Sequence, residues 1–245
     1  MRAVILAGGK GTRLRPFTTT LPKPLVPVGE QAIMEVIVKQ FVRAGGTHIT
    51  VAVSHLAQLI AAYFGNGEKW GIKIDYSIED RPLNTIGPLR LIKDLPEHFL
   101  VMNGDILTDL SFADLYQAHV ASGAMATVST YERDVKIDFG VLRYEPAERR
   151  VTDFTEKPVE HFGVSMGVYA FSRKILDLVP ADQPFGFDHL MLAMIAGGHD
   201  VRAYPYRGFW LDIGRPDDYE RATAECDAIL ARCLPPVASG KAGEA

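Results

Sequence analysis

Leu6-Ala7-Gly8-Gly9-Lys10-Gly11-Thr12-Arg13-Leu14-Arg15-Pro16 follows directly on a short apolar run, and its residue types suit a phosphate. Glycine admits positive φ and lets backbone N–H groups approach an anion without side-chain collision. Arg13 adds a charged fork matched to phosphate oxygens. The spelling departs from two common phosphate loops. A Walker loop needs Gly-Lys followed at once by Ser or Thr, whereas Gly11 follows Lys10; a dinucleotide fingerprint needs a third glycine where Leu14 stands. The glycines alone would serve a tight strand-to-helix turn, and it is the basic residues that favour a phosphate. Beyond them, Leu21-Pro22-Lys23-Pro24-Leu25-Val26-Pro27 sets a lysine between two prolines. That arrangement predicts an extended, non-helical backbone and an ammonium that is aimed rather than free to wander.

Other chemistry-bearing residues stand farther along. Asp105, after Asn103-Gly104, and Asp212, within Phe209-Trp210-Leu211-Asp212-Ile213-Gly214, are carboxylates able to converge on one hard cation such as Mg2+. By type alone, Asp105 serves equally as a turn residue and Asp212 as a helix cap. Phe154-Thr155-Glu156-Lys157-Pro158 offers an acceptor and a cation ahead of a proline, and reads also as an exposed turn. Glu79, in Ser77-Ile78-Glu79-Asp80-Arg81-Pro82-Leu83-Asn84-Thr85-Ile86-Gly87-Pro88, is an acceptor-only carboxylate. It suits the exocyclic amine of guanine, or simple solvation in a loop. His48, His55, His98, His119, His161, His189 and His199 fall outside all these motifs, so no histidine general base is expected.

These residues need a frame, and the hydrophobic pattern supplies one. Ala3–Leu6, Ile49–Val53, Ile72–Tyr76 and Phe99–Met102 read as buried strands; Gln31–Ala44, His55–Phe64 and Phe112–Ala121 read as helices between or after them. Such a βαβα rhythm predicts an α/β, Rossmann-like three-layer sandwich on a mainly parallel mixed sheet, with ligands at the carboxyl ends of the strands. Gly8-Gly9, Ser54-His55 and Asn103-Gly104-Asp105 occupy such ends. After Ala124 the rhythm changes: Ala126–Tyr131, Phe139–Tyr144, Val151–Phe154 and Ser165–Phe171 are strand-like, and helix returns at Phe187–Ala196. This half reads as extra strands and a small β-rich lid on the same sheet. No Gly-, Pro- or Ser-rich linker divides the chain, which favours one domain over 1–232 and a disordered tail over 233–245.

The 245 residues are 47% hydrophobic and 23% charged with a net charge of -4, so the chain as a whole attracts neither nucleic acid nor an anionic membrane, and any phosphate site is local. The N-terminal apolar run is too short for a signal peptide or a membrane span. Cys226 and Cys233, in one expected C-terminal helix, cannot close a disulfide there. Reduced thiols and a cytoplasmic location are expected.

Gly-Gly-Lys-Gly-Thr-Arg-Leu-Arg-Pro followed by Pro-Lys-Pro-Leu-Val-Pro resembles the signature of the nucleotide-sugar pyrophosphorylases (sugar-1-phosphate nucleotidyltransferases). The resemblance continues through Gly104-Asp105, Phe154–Pro158 and Phe209–Gly214, up to the tail. It is strongest to mannose-1-phosphate and heptose-1-phosphate guanylyltransferases, on Val51-Ala52-Val53-Ser54-His55, Pro82-Leu83 with Gly87-Pro88-Leu89, and Trp210–Gly214. It implies a Mg2+-dependent attack of a sugar-1-phosphate oxygen on the α-phosphorus of a nucleoside triphosphate, best GTP, releasing pyrophosphate. Arg13, Lys23 and Asp105 would carry catalysis. Leu6, Ala7, Gly8, Gly9, Gly11, Thr12, Arg13, Lys23, Glu79, Pro82, Asn103 and Gly104 would hold the nucleotide. Gly140, Glu156, Lys157, Ser165 and Gly167 would hold the sugar phosphate, and Asp105 and Asp212 the metal. Relatives carry Asn at the place of Ser165, and Leu-Gly-Thr-Ala-Gly where this chain has Leu83-Asn84-Thr85-Ile86-Gly87. The chain also stops before the left-handed β-helix that longer relatives append.

Thymidylyl, uridylyl or cytidylyl transfer to glucose 1-phosphate or a related sugar stays open beside guanylyl transfer. A catalytically silent subunit that binds nucleotide sugar is a rival, opposed by the retention of Arg13, Lys23, Asp105, Lys157 and Asp212. A nicotinamide-dependent dehydrogenase is weakened by Leu14. A homo-oligomer is compatible with the sequence, and no nucleic acid or membrane partner is expected.

Overall fold

The computed structural model describes residues 1–54 and 56–236. His55, the first residue of one expected helix, and 237–245 of the expected tail lie outside the described residues. In chain order the strands are β1 (Arg2–Leu6), β2 (Pro27–Val28), β3 (Gln31–Ala32), β4 (His48–Val53), β5 (Lys73–Ile78), β6 (His98–Asn103) and β7 (Ile106–Thr108). They continue as β8 (Ala126–Lys136), β9 (Val141–Glu145), β10 (Arg150–Thr155), β11 (Val159–Ser172), β12 (Val201–Tyr206) and β13 (Trp210–Asp212). The helices are α1 (Ile33–Arg43), α2 (Ala57–Phe64), α3 (Phe112–Ser122), α4 (Phe187–Ala196), α5 (Pro216–Ala224) and α6 (Cys226–Cys233).

One seven-stranded sheet, ordered β12-β8-β11-β6-β1-β4-β5, takes strands from both halves of the sequence. β6, β1, β4 and β5 run parallel, β12 lies parallel to β8, and β11 runs antiparallel to both of its neighbours. Alternation along the strands sorts the two cores. Ala3 and Ile5 of β1 face a layer with Met34, Ile37 and Phe41 of α1, Ile60 and Phe64 of α2, and Phe112 and Leu115 of α3. Val4 faces the other side, with Phe99, Phe171, and Leu190 and Met194 of α4. The chain is therefore a three-layer α/β sandwich on a mainly parallel mixed sheet. A third cluster packs Leu14, Val26 and Val28 from the N-terminal loops against Leu211, Ile213, Ala222, Ile229 and Cys233. Cys233, within the expected tail, closes α6 and is buried with a free thiol.

The second half differs from its sequence reading in reach. β8 and β11 are longer than expected, and their distal ends, Thr130–Lys136 against Val159–Ser165, pair as an arm beyond the buried sheet. β9 and β10 form a separate two-stranded ribbon. β12 and β13 carry no strand signal in the sequence: Val201–Tyr206 of β12 has no fully buried residue, and β13 is only three residues long.

Candidate active site

A cleft of about 560 Å³ opens at the carboxyl ends of β1, β4, β5 and β6, where an open α/β sheet characteristically holds its ligand. It is lined by the segment Leu6–Leu14, by Lys23 and Pro24, by Ala52, Ser54 and Glu79, by Pro82, Asn84, Thr85 and Pro88, by Asn103-Gly104-Asp105, and by Gly214. Every residue that the sequence assigns to nucleotide contact is in that wall: Leu6, Ala7, Gly8, Gly9, Gly11, Thr12, Arg13, Lys23, Glu79, Pro82, Asn103 and Gly104.

The glycine-rich loop is anchored at its base by backbone bonds to the neighbouring strand ends. Ala7 N donates to Ala52 O (2.8 Å), and Gly104 N to Leu6 O (2.9 Å), pinning the loop between the β4 and β6 ends. Gly11 has φ +59, a left-handed value that favours glycine, and a Cβ there would lie 2.9 Å from Thr18 Cγ2. Thr18 Oγ1 donates to Gly11 O (2.6 Å) and fixes the turn from behind. The expectation of an extended path at Lys23 is corrected. Lys23–Leu25 is a single 3-10 turn closed by Val26 N on Lys23 O (3.1 Å). Pro24, which has no N–H, fits because a donor at an early helical position would have no partner within the turn.

That turn delivers Lys23 to Asp105. The ammonium pairs with Asp105 Oδ2, and both side chains are mostly shielded, 13% and 21% exposed. Asp105 sits in the turn between β6 and β7. Asp212 ends β13, which pairs antiparallel with β7, and Ile213 N donates to Asp105 O (3.1 Å). Asp212 is therefore a strand end brought beside Asp105, and the adjacent helix α5 takes its cap from Arg215 instead. Asp212 keeps solvent access but is crowded by protein. Its carboxyl is raised above the usual carboxylate range, by desolvation first and then by the charge of Asp105, while Lys23 and Arg13 pull it down. Asp105 Oδ1 is buried and has no hydrogen-bond partner. An orphaned carboxylate oxygen beside a second carboxylate fits a hard divalent cation, which takes oxygen ligands. A separate group of Glu132, Asp134 and His161 is exposed on the arm and shares no residue with the cleft.

On the opposite wall Glu79 follows β5 and accepts from Leu83 N through Oε2 (3.0 Å). Its other oxygen approaches Gly8: a Cβ on Gly8 would lie 2.9 Å from Glu79 Oε1. The carboxylate and the phosphate loop thus share a boundary on which only a bare backbone fits.

The residues expected to hold the acceptor are not in the cleft wall: Gly140, Glu156 and Lys157 flank the ribbon strands, Ser165 ends the arm, and Gly167 sits in the register shift of β11. A Cβ on Gly140 would meet the Phe154 ring at 2.6 Å and Glu156 Oε2 at 3.1 Å, so Gly140, Phe154 and Glu156 are brought together. Lys157, at φ 45, is exposed, with Nζ 4.0 Å from Glu156. Gly167, at φ +73, packs on Asn103, whose Nδ2 would be 2.6 Å from a Cβ there. Ser165 Oγ donates to Tyr169 Oη (3.1 Å). Sequence reading passed over Tyr169 as one more strand residue. Burial raises its phenol, Ser165 opposes that, and the charges of Asp105 and Asp212 push it up further, while the ring itself stacks on Phe171 and Phe187. Lys10, Ser54, Asn84, Thr85, Pro88 and Gly214 also line the cleft without having been singled out. All stand inside or beside the quoted motifs, so proximity to those motifs was the available signal.

Comparison with known proteins gives concordant matches. The family model described as "Nucleotidyl transferase" matches residues 2–228. A mannose-1-phosphate guanylyltransferase catalytic subunit beta from Dictyostelium discoideum is 36% identical over 225 residues, 89% of this chain and 62% of that protein. The chain spans less than two thirds of the length of the curated relatives it matches first, 63% and 62%. Crystal structures of HddC from Yersinia pseudotuberculosis superpose with TM-scores of 0.71 and, complexed with GMP-PN, 0.70. Those matches cover 92% of this chain and 99% of HddC at 26% and 25% identity. A Bacillus anthracis structure described as a glucose-1-phosphate thymidylyltransferase, in complex with a sucrose, matches at TM-score 0.72 and 22% identity, over 91% of this chain and 94% of its own, and bears on the fold alone.

Proposed function

The chain belongs to the nucleotidyl transferase family, and from that premise we propose that it transfers a nucleotidyl group from a nucleoside triphosphate to a sugar 1-phosphate. The best pair is GTP with mannose or heptose 1-phosphate. One observation carries the reading. The N-terminal loop 8–13 and Lys23 meet the sequence-distant Asp105 in one cleft at the strand ends, with a second carboxylate, Asp212, beside Asp105.

In the reaction an oxygen of the sugar 1-phosphate forms a bond to the α-phosphorus as the α–β bridging bond breaks, and pyrophosphate leaves with that electron pair. A phosphate monoester has its second pKa near about 6, so the nucleophile is already largely dianionic at neutral pH and needs no general base. The obstacle is the mutual repulsion of two anions. Backbone amides of 8–12 and Arg13 receive the triphosphate, Lys23 meets the α-phosphate, and Lys157 neutralises the acceptor phosphate while Glu156 accepts from a sugar hydroxyl. Catalysis is then positioning and electrostatic stabilisation. Asp105 and Asp212 would hold a Mg2+, which when bound supplies positive charge to phosphate oxygens. Glu79 supports guanine: it lines the cleft with Oε2 engaged by Leu83 N and Oε1 left beside Gly8 as an acceptor, and guanine presents an exocyclic donor.

The test is a panel of four triphosphates against mannose, heptose and glucose 1-phosphates, scored by pyrophosphate release. GTP with mannose or heptose 1-phosphate is expected to be turned over fastest. A preference for dTTP or UTP with glucose 1-phosphate would overturn the base and sugar assignment. Nucleotide-sugar binding without turnover of any pair would overturn the reaction itself.

A further inference from the structure

The loop that lines the base side of the cleft is held by a distant segment as well as by its own bonds. Leu83 O accepts from Phe185 N (2.9 Å), and Ile86 N and Gly87 N both donate to Phe185 O (2.9 Å each). Arg81 donates to Asp182 O (2.8 Å). Gly87 is bare where that distant segment passes: a Cβ would lie 3.2 Å from Gln183 O and 3.5 Å from Phe185 N. The loop 81–87 is thus clamped by the segment 182–187, which leads into α4. In return α4 takes its first N–H bond from the loop, since Phe187 N donates to Thr85 Oγ1 at 2.8 Å.

Within the clamp, Thr85 differs from its neighbours. Leu83, Ile86 and Gly87 contribute backbone groups, which substitution does not remove. The Arg81–Asp182 ion pair is 3.4 Å long and exposed, a class worth little. Thr85 contributes a side-chain oxygen to an amide at a helix start, where N–H groups have no partner within the helix. Its own amide is closed off by Asn84 Oδ1 (3.0 Å), with Asn84 at φ 66. Asn84, Thr85 and Pro88 all line the cleft, and Ile86 and Leu89 pack in the same core cluster as Leu190 and Met194 of α4. The hydroxyl of Thr85 therefore couples the cleft wall to the rigid helix behind it.

We infer that Thr85 is a positioning residue for the nucleotide base: through the Phe187 amide it holds the wall formed by Pro82, Asn84 and Pro88 in its binding shape. The inference rests on the proposed nucleotidyl transfer in placing the base at this wall. Removing the hydroxyl loosens the wall without touching the phosphate loop or the acceptor side. Triphosphate affinity falls, and acceptor affinity does not.

Thr85→Ala, Thr85→Val and Thr85→Ser in the full chain separate the possibilities. KM for GTP and for mannose 1-phosphate is measured beside the Kd for GTP by calorimetry. Loss of one hydrogen bond is expected to raise both the KM and the Kd for GTP about three- to tenfold in Thr85→Ala and Thr85→Val. KM for mannose 1-phosphate stays within about twofold, as the acceptor residues lie elsewhere. Thr85→Ser, which keeps the oxygen, is expected to restore wild-type values. An unchanged Kd for GTP in Thr85→Ala, or a Thr85→Ser variant as impaired as Thr85→Ala, overturns the inference. Wild-type protein that binds GTP without turnover sinks the transferase reading while the Kd comparison still decides the role of Thr85; no GTP binding by the wild type overturns both.

Discussion

Asp105 concentrates the chemistry of the cleft in one side chain: one oxygen on the Lys23 ammonium, the other buried with no partner. A structural aspartate would not be left half satisfied, because a buried acceptor without a donor costs about 1–3 kcal/mol. Asp105→Asn keeps the shape, removes the charge that holds Lys23, and presents an amide to a cation. Pyrophosphate release is expected to fall at least about a hundredfold, the scale of losing one preorganised electrostatic group. The thermal midpoint is expected to fall, because the shielded Lys23 ammonium loses its partner. Near-wild-type turnover in Asp105→Asn would remove this residue from the mechanism. Glu79 shows the same economy: its fixed oxygen, bound to Leu83 N, orients the free one.

Among the elements, β11 does the most to join the two substrate sides. It begins on the exposed arm, passes Ser165, and enters the buried sheet beside β6, with its register to β8 shifting between Ser165 and Tyr169. Gly167 at φ +73 sits in that shift, a conformation an L side chain adopts only under strain. Gly167→Ala would add a Cβ 2.6 Å from Asn103 Nδ2. It is expected to cost about 1–3 kcal/mol in urea unfolding. Because Asn103 lines the cleft and packs on Gly167, which the proposed reading gives to the sugar phosphate, KM for triphosphate and for sugar phosphate should rise together, in contrast to the split expected at Thr85. A Gly167→Ala protein as stable as wild type would show that the bulge carries no strain. The ribbon of β9 and β10 stands at the other extreme, with Leu142, Tyr144, Val151 and Phe154 each more than half exposed.

At the scale of the whole molecule, stability rests on the two layers flanking the sheet and on the third cluster that seals the N-terminal loops with α5 and α6. Gln40 ties these together, donating to Thr108 O (2.5 Å) and to Cys233 O (3.0 Å). No helix among the described residues is long and apolar enough to cross a membrane. The buried His119 makes global stability depend on pH. Its ring meets Thr127 Oγ1 at 2.9 Å and His98 at 3.2 Å, with Glu97 4.0 Å from the far side of His98. Burial first, then His98, lowers its pKa from 6.5 to about 4. The unfolded chain therefore takes up the proton first. This contribution is complete above pH 6.5 and is lost as pH falls toward about 4. Urea midpoints are expected to drop between pH 7 and pH 4.5, with a slope of up to about 1.4 kcal/mol per pH unit from this one group. In His119→Gln the drop should be smaller; an equal drop would show that other groups carry it.

The sequence by itself determined the glycine-rich loop, the strands that carry it and most of the residues that line the cleft. Those residues lie in short contiguous motifs, and a glycine or a proline constrains the backbone locally. Only the tertiary structure decided what meets what. It set Asp212 beside Asp105 by pairing β13 with β7, stacked Tyr169 on Phe171 and Phe187, and closed the loop 81–87 with a segment a hundred residues later. It also turned Lys23 onto Asp105 through a 3-10 turn where two prolines had implied extension. Pairing between distant strands follows from how both sheet faces are buried together, which no local pattern records.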